Sequence, residues 1–299
     1  MGLPEALHLA AGREVLLGRF EVEQLLGTGG FGAVYRAEDL ALQRPVALKV
    51  LPRQRGGSEP TRRHEEVRLL STLNHPALVA LYEVFDIAER TVLVMELVEG
   101  PTLRALLDEA PLPPATVASV AVDLASALEH IHGRGIVHRD IKPSNVLVAE
   151  RGEPRLRVKL SDFGIATGAT GDSAAGGAAI GTARFVSPEQ ARGGEIGPAS
   201  DIYSLGLTLL AAIAGPGAEP SNPADVLRRR ILLDPAIPRT LDYGWRSLLT
   251  SMTARSPAFR PSAAEVLERA GALADSDQQP ERGAAPEEQH TMPLDILRL

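Results

Sequence analysis

The residues His138-Arg139-Asp140-Ile141-Lys142-Pro143-Ser144-Asn145 hold a carboxylate, two side-chain cations and an amide within eight positions, with a proline in the middle. Their types suggest one chemistry. Asp140 can accept a proton from a hydroxyl, Lys142 can hold a transferring phosphoryl group, and Asn145 can offer an oxygen to a divalent cation. Taken alone, such an octapeptide is an ordinary polar surface loop. Its weight depends on what stands before and after it.

Upstream, Gly27-Thr28-Gly29-Gly30-Phe31-Gly32-Ala33-Val34 fits Gly-x-Gly-x-x-Gly-x-Val. A dinucleotide fingerprint needs a helix directly after the glycines, whereas Val34-Tyr35-Arg36-Ala37 is β-prone. A glycine hairpin between two strands remains, with backbone N–H groups free to close over phosphates. Lys49 sits in the apolar strand Pro45-Val46-Ala47-Leu48-Lys49-Val50-Leu51; a solvent-facing edge lysine is the plain alternative to a phosphate-binding one. An ammonium used on phosphates needs a carboxylate to hold it. In the amphipathic pattern over 59–72, Glu66 shares a face with Leu70 and Leu73, and Glu65 does not. Glu66 is therefore the expected partner. Downstream, Ser161-Asp162-Phe163-Gly164 places a carboxylate at a strand end, suited to bridging a metal.

The elements that must position these groups follow from periodicity. Strands are expected from Phe20, through 45–51, over 78–85 and 91–97, at 146–148 and at 156–160. The 91–97 strand runs into Met95-Glu96-Leu97-Val98-Glu99-Gly100, where apolar sequence gives way to glycine and proline. A helix is expected over 114–133 from Val117, Val120, Ala121, Leu124, Leu128 and Ile131, ended by Gly133 and Gly135. Further helices are expected over 198–214, with Asp201 in the first turn, and around 242–254 and 262–272. Residues 165–187 read as a mobile Gly/Ala/Thr loop, and 215–238 as Pro/Gly-rich with little helix signal. Residues 1–18 read as an N-terminal arm. The stretch after 273 reads as an acidic, disordered tail whose last eight residues could dock a partner.

Composition narrows the function classes. The 299 residues suffice for two lobes, with 44% hydrophobic and 23% charged residues, as in ordinary globular proteins. There are no cysteines, which excludes a disulfide scaffold, a thiolate zinc site and a cysteine nucleophile. The formal charge of −7 argues against non-specific nucleic-acid binding. The longest apolar run, 205–214, is about half a membrane span, and no secretory leader precedes the arm, so a cytoplasmic location is expected with no membrane partner. Among 31 Lys and Arg residues only Lys49, Lys142 and Lys159 are lysine. A chain this committed to arginine keeps lysine where a compact ammonium is needed.

Glycine loop, Val-Ala-x-Lys, helix Glu, His-Arg-Asp, Asp-Phe-Gly, Ser187-Pro188-Glu189, Asp201 and Arg260 occur in an order that resembles the eukaryotic-like bacterial serine/threonine protein kinases. The resemblance covers 19–272 and implies an α+β bilobal fold. Its small lobe (19–97) would be an antiparallel sheet with one helix, and the hinge (96–100) would lead to a mainly helical large lobe (101–272). It also implies roles. Asp140 would orient and deprotonate the acceptor, Lys142 would sit on the γ-phosphoryl group, and Asn145 and Asp162 would hold Mg²⁺, or Mn²⁺ in its place. Lys49, fixed by Glu66, would grip the α/β-phosphates of ATP beneath Gly27, Gly29 and Gly32. Adenine would lie between Leu26, Val34 and Ala47 above and Leu147 below, with Met95 behind it and backbone groups of Glu96 and Val98 at its edge. Leu70, Leu81, His138 and Phe163 would stack in a column near Asp201. Glu189 and Arg260 would form a buried ion pair. Lys142 with Thr182 is the serine/threonine pattern, so the expected activity is ATP-dependent phosphorylation of protein Ser/Thr hydroxyls with autophosphorylation, in bacterial signalling. Two departures stand out: Ser187 replaces the usual Ala, and 174–180 carries no hydroxyl, leaving Thr167, Thr170, Ser173 and Thr182 as candidate loop sites. A nucleotide-binding pseudokinase scaffold and a small-molecule phosphotransferase are the alternatives. The first is disfavoured by the presence of Lys49, Asp140, Asn145 and Asp162, the second by the peptide platform around Thr182 and Pro188.

Overall fold

The computed structural model describes residues 14–29, 32–52, 70–87, 90–151, 155–163, 183–215 and 222–276. Six strands form an antiparallel sheet in the order β1-β2-β3-β4-β6-β5: β1 (Val15–Leu16), β2 (Phe20–Gly29), β3 (Gly32–Asp39), β4 (Arg44–Pro52), β5 (Leu81–Ile87) and β6 (Arg90–Glu96). A separate hairpin pairs β7 (Val146–Arg151) with β8 (Leu156–Leu160). The helices are α1 (Leu103–Glu109), α2 (Pro114–His132), α3 (Pro188–Ala191), α4 (Pro198–Ala214), α5 (Pro223–Leu232), α6 (Tyr243–Met252) and α7 (Ala263–Ser276). The sheet followed by helices is the α+β, two-lobed arrangement expected.

Two cores match the two lobes. Phe20, Val22, Tyr35, Val46, Leu48, Val50, Val92 and Val94 bury the sheet's inner face. The second core gathers α2, whose Val117, Val120, Ala121, Leu124, Leu128 and Ile131 are all fully buried, with residues from α4, α6, α7 and the β7–β8 hairpin. Alternation does the sorting in the sheet. Because successive strand side chains face opposite ways, Val34, Ala47, Lys49, Leu93 and Met95 lie on the face turned away from the small-lobe core. Register then brings them side by side: Val34 pairs with Lys49, Lys49 with Leu93, and Ala47 with Met95.

Several boundaries differ from the sequence expectation. Val15 and Leu16, inside the stretch read as an arm, pair with Glu21 and Phe20, so the sheet begins before residue 19. The region 215–238 contains α5, which the Pro/Gly content hid. Its start is nevertheless well specified: the Asn222 side chain accepts from the Ala224 N–H, and Pro223 takes the first helical position. Only Val226 and Arg230 of α5 are buried, so its apolar stripe is too thin to register as a period. The short α1, also unforeseen, is capped by the Thr102 hydroxyl. Gly133 stays right-handed at the end of α2, and Gly135 (φ 72°) makes the turn. Of the expected 59–72 helix only 70–72 is described, so Glu66 lies outside the described residues. Most of the 165–187 loop, with Thr167, Thr170, Ser173 and Thr182, lies outside them too, as do Gly30, Phe31 and the tail beyond 276. No helix among the described residues is long and apolar enough to cross a membrane.

The large lobe is pinned by the Glu189–Arg260 pair. Arg260 Nη1 and Nη2 reach Glu189 Oε1 and Oε2 at 2.6 and 2.9 Å, and the Arg260 side chain is fully buried. Its remaining N–H groups bind the carbonyls of Ala199, Ala254 and Arg255, and its guanidinium lies 4.7 Å over the Tyr203 ring. Burial pushes the Glu189 carboxyl up, but the hydrogen bonds from Arg260 and Ser200 outweigh it, leaving the group below its ordinary value. Arg260→Met would strand a buried carboxylate. It is expected to cost about 3–5 kcal/mol in a urea titration, whereas exposed Arg246→Met should change little.

Candidate active site

The loop between α2 and β7 is shaped by α4. Asp201, 1% exposed in the first turn of α4, accepts the backbone N–H groups of His138 and Arg139 at 2.8 Å each. His132 Nε2, from the end of α2, reaches the same carboxylate at 2.8 Å. Arg139 is held at φ 70°, a left-handed conformation rare for a non-glycine residue that needs surrounding bonds to persist. Its carbonyl accepts from Gln190 Nε2 at 2.9 Å. Asp201 thus braces the loop.

Behind that brace the polar groups converge. Lys142 Nζ lies 2.8 Å from Asp140 Oδ2, and Asn145 Nδ2 donates to the same oxygen at 3.0 Å and to the Asp140 carbonyl at 2.8 Å. With its amide nitrogen spent on Asp140, Asn145 has its amide oxygen left for a cation. Ser161 N–H and Oγ both donate to the Asn145 carbonyl, at 2.8 and 3.0 Å, fixing the β8 end against this loop. Asp162 follows, at φ 61°, and Lys49 Nζ reaches its Oδ1 at 2.7 Å. The carboxylate described on Lys49 is therefore Asp162. Asp162 with the Asn145 oxygen is a hard donor set that fits a divalent cation whose other ligands are phosphate oxygens and water.

The apolar walls come from the same alternation. Val146 and Val148 point into the large-lobe core, which turns Leu147 the other way. Leu26 is the unpaired residue of a β-bulge, since Leu25 faces Tyr35 while Gly27 faces Val34; its side chain is 48% exposed. Val34, Met95 and Val98 are half-buried, and Ala47 is buried. The Glu96 N–H is taken by the Ala80 carbonyl at 2.9 Å, so only its carbonyl could serve an adenine edge. The glycines divide. A Cβ on Gly32 would stand 2.2 Å from the Val50 carbonyl oxygen, at a φ of 155°, so the sheet itself demands glycine there. A Cβ on Gly27 would meet nothing within 4 Å. Among the described residues no neighbour requires that glycine, which fits close approach by a ligand. Behind Met95 a small cavity of about 30 Å³ is lined by Lys49, Leu70, Leu81, Asp162 and Phe163 among others.

Of the expected column, Leu70, Leu81 and Phe163 line one cavity, and the His138 and Phe163 rings lie 4.9 Å apart, tilted by 40°. His138 is fully buried. Its Nδ1 accepts from the Asp140 N–H at 3.4 Å, so Nε2 carries the proton and donates to the Ser161 carbonyl at 3.0 Å.

Four contributors escaped the sequence reading. His132 shares Asp201. Ser187, the departure from Ala, is the N-cap of α3: its hydroxyl accepts the Gln190 N–H, and Gln190 Oε1 accepts the Ser187 N–H at 3.0 Å. The Ser-x-x-Gln spacing of a capping box would have revealed it. Gln190 then spends its amide nitrogen on Arg139, which joins α3 to the catalytic loop. Lys159, unassigned by motif, binds Glu96.

Comparison with known proteins places this geometry. Residues 20–270 match the family model described as protein kinase domain. The chain is 38% identical over 256 residues to serine/threonine-protein kinase PknL of Mycobacterium tuberculosis, covering 81% of this chain and 62% of the relative. It is 38% identical over 285 residues to serine/threonine-protein kinase pkn2 of Myxococcus xanthus, covering 90% and 34%. To PknB of M. tuberculosis it is 37% identical over 255 residues, covering 81% and 40%. The chain thus spans between about a third and three-fifths of the length of these relatives.

Burial lowers the His138 pKa from its ordinary 6.5, outweighing the attraction of the Asp201, Asp140 and Asp162 carboxylates and the Ser161 carbonyl. The unfolded chain therefore binds a proton here before the folded one does. The stabilisation is complete above about pH 6.5 and is lost as pH falls below it toward the depressed folded value. His75 and His130, also lowered mainly by burial, act in the same direction. Melting temperature followed from pH 7.5 to 5 should fall less steeply for His138→Phe than for the parent.

Proposed function

The chain belongs to the protein kinase domain family, and on that premise we propose that it transfers the γ-phosphoryl group of ATP to serine and threonine hydroxyls of proteins, its own included. The observation carrying this reading is the convergence of Lys142 and Asn145 on one oxygen of Asp140. Among the described residues nothing occupies its other oxygen, which can take a hydroxyl proton. Phosphoryl transfer asks a protein mainly to position groups and compensate charge. Asp140 orients and deprotonates the acceptor, and Lys142 neutralises charge on the group in transit. Asn145 and Asp162 hold Mg²⁺, or Mn²⁺ in its place, which supplies charge compensation on the phosphates. Lys49 swings between Asp162 and the α/β-phosphates, with Glu66 as its partner in the assembled state. Gly27, Gly29 and Gly32 close over the phosphates while Leu26, Val34, Ala47 and Leu147 sandwich the base. Met95, Glu96 and Val98 line its far edge. Thr182 joins Lys142 on Asp140.

The same reading gives 19–272 as the catalytic unit, extended at its start by β1 and at its end by the last turn of α7. It also gives a role in bacterial signalling, a cytoplasmic location and a partner-docking role for the C-terminal tail. Loop control, where it operates, falls to Thr167, Thr170, Ser173 or Thr182, because 174–180 offers no hydroxyl.

Incubation of the purified chain with γ-labelled ATP and Mg²⁺ should label the parent on serine and threonine. Asp140→Asn should lose at least about a hundredfold in rate, the scale of a general acid–base contribution. Phosphotyrosine as the main product would overturn the substrate class, and ATP binding without transfer in the parent would favour a scaffold. A Thr167→Ala/Thr170→Ala/Ser173→Ala triple variant should show reduced activity if one of those three is the regulatory site; unchanged activity would remove them from the loop's control.

A further inference from the structure

The third lysine, Lys159, is a cation that the reaction scheme does not use. Val158 and Leu160 of β8 point into the large-lobe core, so Lys159 points the opposite way, directly across from Leu147 in the hairpin register. There its Nζ lies 2.9 Å from Glu96 Oε1 and 3.0 Å from Oε2, with the Leu78 carbonyl at 3.5 Å. The two side chains are only 18% and 26% exposed. Glu96 is fastened from its other side as well: its Oε2 accepts the Ala80 N–H at 3.2 Å, and its own N–H donates to the Ala80 carbonyl at 2.9 Å.

The segment between is tied to β8 by backbone. Leu160 N–H donates to the Ala77 carbonyl at 2.9 Å, Val79 N–H donates to the Leu160 carbonyl at 3.0 Å, and Leu78 and Leu160 form a parallel bridge. Glu96 is the last residue of β6, where the small lobe ends. Lys159 stands three residues before Asp162 on the strand that delivers it. The Lys159–Glu96 contact therefore spans the two ends of the nucleotide site, adenine edge and metal carboxylate.

We propose that Lys159 is a positioning residue whose ion pair with Glu96 fixes the separation between the hinge and Asp162, and so presets the cleft for a nucleotide that must touch both ends. This rests on the kinase reading above. The chain's near-exclusive use of arginine elsewhere agrees with it: a compact ammonium fits between two carboxylate oxygens and a carbonyl where a guanidinium fork would push β6 and β8 apart. Preorganisation of this kind lowers the cost of binding only for a ligand that bridges the clamped elements. Adenosine reaches the hinge alone, whereas Mg-ATP reaches the hinge and Asp162.

The test uses the full chain, Lys159→Gln, Glu96→Gln and the double variant, with calorimetric dissociation constants for Mg-ATP and for adenosine, and melting temperatures for each protein. A part-sheltered pair of this strength should weaken Mg-ATP about fivefold in either single variant, with adenosine changed less than about twofold. For Lys159→Gln, KM for ATP should rise in step with kcat little changed, and the double variant should bind Mg-ATP no worse than either single one. The neutral amide pair of the double variant also serves if a single variant does not fold. Equal losses for adenosine and Mg-ATP, a lower melting temperature with unchanged binding, tighter binding, or losses that multiply in the double variant would each overturn the proposal. A parent that binds neither ligand would instead remove the kinase reading, and the clamp with it.

Discussion

One buried carboxylate holds the 138–145 loop in shape. Asp201 takes two consecutive backbone N–H groups and an imidazole, so a charge that would be prohibitive to bury alone becomes a three-point socket. Without it, Arg139 would relax from its left-handed conformation, and the turn that aims Asp140 would open. The geometry around Asp140 is thus set from the first turn of α4. Its N-terminal dipole favours the negative charge there, which is why one position satisfies both helix start and loop brace.

A second fastening works from the opposite side. Gln190 binds Ser187 with its oxygen and Arg139 with its nitrogen, so the cap of a four-residue helix and the carbonyl of the loop share one amide. The hydroxyl at 187 is therefore a local structural part, and the departure from Ala has a physical use here. Together, Asp201 and Gln190 hold the one donor and the one acceptor of the Arg139 backbone.

How much could be read beforehand depended on whether a residue's role was local. The helix at 114–133 and the strand at 156–160 were legible because burial there favours one face, and 45–51 and 198–214 because their apolar runs are buried almost throughout. Asp140, Lys142 and Asn145 were legible because they sit within one short stretch. By contrast, α5 buries little beyond Val226 and Arg230, so its capping residues were the only signal. Lys49 illustrates a different limit: strand periodicity placed it on the cleft face, but which carboxylate it holds depends on a tertiary approach across more than a hundred residues. The same is true of Lys159 and Glu96, and of His132 and Asp201. Long-range polar pairs leave no period in the chain.

The two glycines on either side of the hairpin carry different histories of constraint. Gly32 is held by its neighbouring strand, so any descendant that keeps the sheet must keep it, whatever it has ceased to do. Gly27 answers to no atom of the described residues. A lineage that gave up nucleotide could let that position drift at no cost to folding. Among related chains, the state of Gly27 would then serve as a marker of use, and the state of Gly32 only as a marker of architecture.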